Sequence, residues 1–158
     1  MITFRTYGTW LHGDVRGSVD LKNNAFGTAR IPHTPARKDH VRSIAIGEPV
    51  LLNAKMRSCV EAAVRETCEK RGWRLLAIHV RTNHVHVVVE TGTLKPTVAL
   101  SAFKANATRV MRENDCWESQ ETPWVDKGSR RYLWTEESVL RAVDYVINGQ
   151  GDELPEFL

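Results

Sequence analysis

Hydrophobic positions along the chain switch between the period of a strand and that of a helix. Residues 2–11, ITFRTYGTWL, are β-branched and aromatic and predict a first strand. From residue 51 the period becomes helical. Leu52, Met56, Val60, Val64 and Cys68 recur every four residues, with Arg57, Glu61, Arg65 and Glu69 on the polar side. Gly72 suits the C′ position that ends such a helix. Residues 73–80, WRLLAIHV, predict a strand, Thr82 and Asn83 a tight turn, and residues 85–90 the returning strand of a central hairpin. A second helix is predicted over residues 97–113, with Leu100, Phe103, Ala107 and Val110 inward and Lys104, Arg109 and Arg112 outward. A loop dense in tryptophan and charge leads to a short strand, RRYLW. Thr135 then caps a last helix that carries Glu136 and Glu137 in its first turn.

Between the first strand and the first helix lies a stretch without clear periodicity, residues 12–49, rich in Gly, Pro, Asn and Arg. Segments of this length inside a compact domain are usually functional or disordered. It holds six Lys/Arg against four Asp/Glu, which suits either a basic flap over a ligand or a solvated insertion. The order of elements is therefore β, insertion, α, β, β, α, β, α. It predicts an α+β fold of ferredoxin-like type, an antiparallel sheet with helices packed on one face.

The returning strand contains HVHVVVE, residues 84–90. Side chains alternate along a strand, so His84, His86 and Val88 face one way while Val85, Val87 and Val89 face the core. The two imidazoles then stand roughly 7 Å apart at the Cα level. That spacing suits two ligands of one metal ion, a ligand beside a general acid or base, or two half-exposed histidines with no chemistry at all. On the last helix, Val139, Leu140, Val143, Val146 and Ile147 form the expected core stripe. Tyr145 falls roughly 160° from its centre, as a surface tyrosine or a phenolic nucleophile offered to a cleft.

The bulk numbers bound the reading. With 158 residues, 42% of them hydrophobic, one domain over 1–158 can bury a real core. The sequence has no run long and apolar enough to span a membrane and no secretion signal at its start, so a cytoplasmic location is expected. Of the three cysteines, Cys59 and Cys68 would lie about 13 Å apart along a helix, too far for a disulfide. A net charge of +3 permits nucleic-acid binding without demanding it.

His84-Val85-His86 on a strand, two helices, and then Tyr145 followed by Asn148 and Gln150 on a C-terminal helix resemble the single-tyrosine HUH transposases. These include the transposase-like proteins associated with repetitive extragenic palindromes and small insertion-sequence transposases. The resemblance covers residues 1 to about 150, less the insertion. It implies metal-dependent cleavage and rejoining of single-stranded, hairpin-flanked DNA through a 5′-phosphotyrosine link to Tyr145. It also implies a divalent ion, Mg²⁺ or Mn²⁺, on His84, His86 and an amide oxygen. Family members carry that amide four residues after the tyrosine, where this chain has Gly149. Asn148 lies about 60° from Tyr145 on a helix, while Gln150 needs a π-bulge or a helix that ends at Gly149. The glycine tips the choice towards Gln150 and leaves Asn148 open.

Lys104, Arg109, Arg112, Arg130, Arg131 and Arg141 are the candidates for DNA phosphates. Trp117, Trp124 and Trp134 could stack on bases or sit in the core. Some relatives are dimers that exchange the tyrosine helix, so a homodimer stays open. The alternative function is a catalytically inactive protein, derived from such a transposase, that binds a DNA or RNA hairpin. Histidine-triad hydrolases fit poorly, because Val88 stands where their third histidine would be.

Overall fold

In the computed structural model, residues 1–9 and 48–151 are described. Contacts divide the chain into two units, residues 1–6 with 51–158 and residues 7–50. Most of the predicted insertion lies outside the described residues, as do the last two residues of the predicted first strand. At the edge of the second unit, the Val50 N–H donates to the Tyr7 carbonyl at 2.9 Å. Gly8 (φ 73°) packs so tightly there that a Cβ would come within 2.9 Å of Pro49 Cα. Tyr7 and Gly8 thus lie beside Pro49 and Val50 within this unit.

The first unit contains β1 (Ile2–Arg5), α1 (Ala54–Arg71), β2 (Arg74–Val80), β3 (His84–Glu90), α2 (Pro96–Glu113), β4 (Ser129–Arg130) and α3 (Glu136–Asn148). The four strands form one antiparallel sheet in the order β2-β3-β1-β4. This is the expected α+β, ferredoxin-like arrangement. β4 is shorter than predicted. The Arg131 N–H donates to the Met1 carbonyl, and residues 132–134 have no strand opposite them among the described residues.

The helix periods hold for α1 and α2. Asn53 caps α1 by accepting from the Met56 N–H at 2.9 Å. Gly72 ends it with φ 65°, in the left-handed region that favours glycine. Leu52, Met56, Val60, Val64 and Cys68 are buried, packed with Leu100, Phe103 and Ala107 of α2 against Phe4, Val85 and Val87 of the sheet. Trp124 completes this core, edge-on to Phe4 at 5.0 Å, with its indole N–H shared by the Lys104 carbonyl and Thr108 Oγ1.

One expectation is corrected. The helices do not share one face: α1 and α2 cover the Val85/Val87 side, and α3 covers the opposite, histidine-bearing side. The predicted stripe on α3 is corrected with it. Ala142 and Val146 are buried against Ala77 and Val88, while Leu140 and Ile147 are 62% and 57% exposed. The sheet patch is narrow and built from small side chains, so the helix turns its slimmest side to it. Centred on Ala142 and Val146, Tyr145 sits about 80° away, at the flank of the contact rather than opposite it.

Candidate functional site

The register of three strands builds a row of polar side chains on the face under α3. His86 of β3 lies between Thr3 of β1 and His79 of β2, and Arg5 pairs with His84 one step along. Only 7% of His86 remains exposed. Its ring meets that of His84 edge-on at 4.8 Å and that of Tyr145 edge-on at 5.5 Å.

Each imidazole is held by its Nδ1. Asn83 Oδ1 lies 2.7 Å from His84 Nδ1, and Thr3 Oγ1 lies 2.8 Å from His86 Nδ1. An amide oxygen only accepts, so His84 carries its proton on Nδ1 and its Nε2 offers a lone pair. That Nε2 faces Gln150 Oε1 at 3.5 Å. Two acceptors turned towards each other suit a cation between them.

Gln150 reaches this position because α3 stops. The Gly149 N–H and Gln150 Nε2 both donate to the Tyr145 carbonyl at 3.0 Å, folding the chain back over the helix end. A Cβ at residue 149 would stand 2.7 Å from the Tyr145 carbonyl oxygen and 2.9 Å from its ring. Asn148 turns elsewhere, donating to Asp144 Oδ1 at 2.8 Å. Of the two amides left open by the sequence, Gln150 is the one beside His84.

Burial dominates the electrostatics. It pushes the His86 pKa down to about 4, with the neighbouring His84 adding to the effect. Burial also lowers His84, reinforced by Arg81 and Arg5, and lowers His79, reinforced by Arg81. All three rings are therefore neutral at pH 7, the form in which imidazole binds metals. Among the described residues no three of His, Cys, Asp and Glu gather into a cation site. The donor set that does assemble is two imidazoles and one amide oxygen. Such a neutral set fits a divalent ion that must also accept phosphate oxygens.

The basic candidates fare unevenly. On α2, Lys104 Nζ is held by the carbonyls of Val125, Asp126 and Lys127. Arg109 pairs with Glu66 and Glu113, and Arg112 donates to the carbonyls of Ser119 and Gln120. These three belong to the layer across the sheet from the histidines. Arg130 and Arg131 lie at β4 and just beyond it, exposed. Arg141 pairs with Glu137 at 3.1 Å, one turn ahead of Tyr145. Sequence reasoning missed Thr3, Arg5, His79, Arg81 and Asn83. The alternation of β1 puts Thr3 and Arg5 together, but only the register brings them to the histidines.

The family described as "Transposase IS200 like" matches residues 38–144. That is about two thirds of the chain, and the chain belongs to the IS200-like transposase family. The matched segment includes both histidines and stops one residue short of Tyr145. No curated protein matches the chain. Membership of a transposase family makes DNA the expected class of partner. No helix among the described residues is long and apolar enough to cross a membrane.

Proposed function

We propose that the protein nicks and rejoins single-stranded DNA beside hairpins, with Tyr145 as the nucleophile. The observation that carries this reading is the meeting of Tyr145, His86, His84 and Gln150 within one cluster, although 60 residues separate Glu90 at the end of β3 from Gln150.

In the step proposed, the Tyr145 phenolic oxygen attacks a backbone phosphorus. The new O–P bond replaces the bond to the 3′-oxygen, which leaves and takes up a proton as a free 3′-hydroxyl. The 5′-phosphate stays on the tyrosine, and the reverse attack by a 3′-hydroxyl rejoins a strand without further energy input. Position supports the nucleophile's role: the phenol is 47% exposed, open to substrate, while its ring edge rests on His86. Arg5 and Arg81 add positive potential beside His84, where a phosphate would lie. His84, His86 and the Gln150 amide oxygen would hold Mg²⁺ or Mn²⁺. When bound, such an ion draws charge from the phosphate oxygens and orients the group for in-line attack. Asn83 and Thr3 keep the rings aimed.

The test uses single-stranded oligonucleotides from both strands flanking the gene, hairpins included, with Mn²⁺ or Mg²⁺. A denaturing gel should reveal a covalent protein–DNA adduct that disappears with Tyr145→Phe and with a chelator. Tight hairpin binding without any adduct would instead favour the inactive-binder alternative.

A further inference from the structure

We infer that Tyr132 and Trp134 form a stacking platform for an unpaired nucleobase, at the foot of the helix that presents Tyr145. This rests on the proposal that the substrate is single-stranded DNA. The two rings lie face to face, 5.0 Å between centroids and 8° between planes. Trp134 is 83% exposed and Tyr132 55% exposed, in contrast to Trp124, which is 2% exposed. A parallel pair so open to solvent forgoes the burial that normally retains tryptophan, and it has the planar, apolar geometry on which a base stacks.

The surroundings favour a polyanion over a second protein. Lys127, Arg130 and Arg131, all exposed, precede the pair within a few residues. Glu136 and Glu137 follow it, and Glu137 is already paired with Arg141. Cations beside aromatic rings are the combination that holds a sugar-phosphate chain and its bases together.

Tyr132 and Arg131 also line a groove of about 690 Å³ whose other wall includes Glu136, Val139, Leu140 and Val143 of α3. These four residues lie on the flank of α3 opposite to that of Tyr145.

The experiment compares a roughly twenty-nucleotide oligothymidylate with a fully abasic strand of equal length, by fluorescence anisotropy at low salt. Full-length protein is used in a Tyr145→Phe background. Trp134→Ala should weaken oligothymidylate binding about ten-fold and leave abasic binding unchanged. Trp134→Phe, which keeps a ring, should restore most of the loss. Thermal melting checks that the variants fold, and a photo-crosslink from 5-iodouracil to Tyr132 or Trp134 in unsubstituted protein provides evidence independent of any variant. Equal losses on both strands, or no loss on either, overturn the platform. So does a change in sedimentation with unchanged DNA affinity, which would make the surface a contact between copies of the chain. The adduct assay separately reports the cleavage reading: an adduct formed as well by Trp134→Ala as by unsubstituted protein, with equal affinities, sinks the platform and leaves the nuclease standing.

Discussion

His84 and His86 are held by partners of different kinds, and the difference is consequential. Asn83 Oδ1 can only accept, so it fixes the His84 tautomer, whereas the Thr3 hydroxyl can give or take a proton bond to His86. Such outer partners typically change metal affinity by about 10–100-fold. Asn83→Ala should therefore weaken Mn²⁺ binding by about ten-fold or more in calorimetry, and Asn83→Asp, which keeps an acceptor, should not. Unchanged affinity in the alanine variant would remove Asn83 from this role. A second expectation concerns acid. Burial holds the His86 pKa at about 4, against 6.5 for the unperturbed side chain. The unfolded chain therefore takes up this proton first as pH falls. The stability that goes with a neutral His86 is complete above about pH 6.5 and is lost between there and about pH 4, at most about 3 kcal/mol. His84 and His79 shift in the same direction. Urea midpoints at pH 7 and pH 4.5 should differ, and His86→Gln should narrow the gap; an undiminished gap would assign the acid sensitivity elsewhere.

α3 works as a lever with both ends specified. Thr135 and Ser138 close a capping box at its start, and Gly149 ends it under the Tyr145 ring. Tyr145 and Gln150 depend on the shape of that C-terminal end more than on helix stability. Gly149→Ala places a methyl 2.7 Å from the Tyr145 carbonyl, so either the ring or the returning Gln150 must move. Displacement of this kind near a reacting group can lower the rate about 100-fold. The substitution is expected to reduce adduct formation on that scale while thermal melting changes by only a few degrees. An active Gly149→Ala variant would mean that the fold-back of Gln150 is dispensable.

For the whole molecule, the division of labour between the faces of the sheet is decisive. One face carries the large core with α1 and α2, and the other trades a broad core for the small Ala77, Val88, Ala142 and Val146 contact and the polar row beside it. The large core and the polar row are thereby separated, so variants of the row should cost little folding free energy compared with changes at Phe4 or Phe103. The join between Tyr7 and Val50 suggests that the sheet unit folds without the chain between them. Replacing residues 10–47 by a short glycine-serine link should keep the first unit folded. Loss of cooperative melting in that variant would show instead that the segment belongs to the folding unit.

Much of this was legible from residue order, and the reason is locality. The period-four apolar positions of α1, the stop at Gly72, the cap at Thr135 and the shared face of His84 and His86 follow from geometry a few residues long. The order of elements added the α+β class and the antiparallel sheet, without its strand order. What the sequence alone left open depended on contacts between distant segments. The stripe on α3 was misplaced because hydrophobicity ranks Leu140 and Ile147 above Ala142, while the narrow patch on the sheet accepts only the smaller side chain. Between Gln150, towards which the glycine tipped the reading, and Asn148, the place beside His84 followed only from the helix end folding back on the Tyr145 carbonyl. Thr3, Arg5 and His79 joined the site through strand register, and Lys104, Arg109 and Arg112 were drawn to carbonyls and carboxylates on the far layer. Local periodicity thus determined which residue types share a face; only tertiary packing decided which face, which partner and which amide lies beside His84.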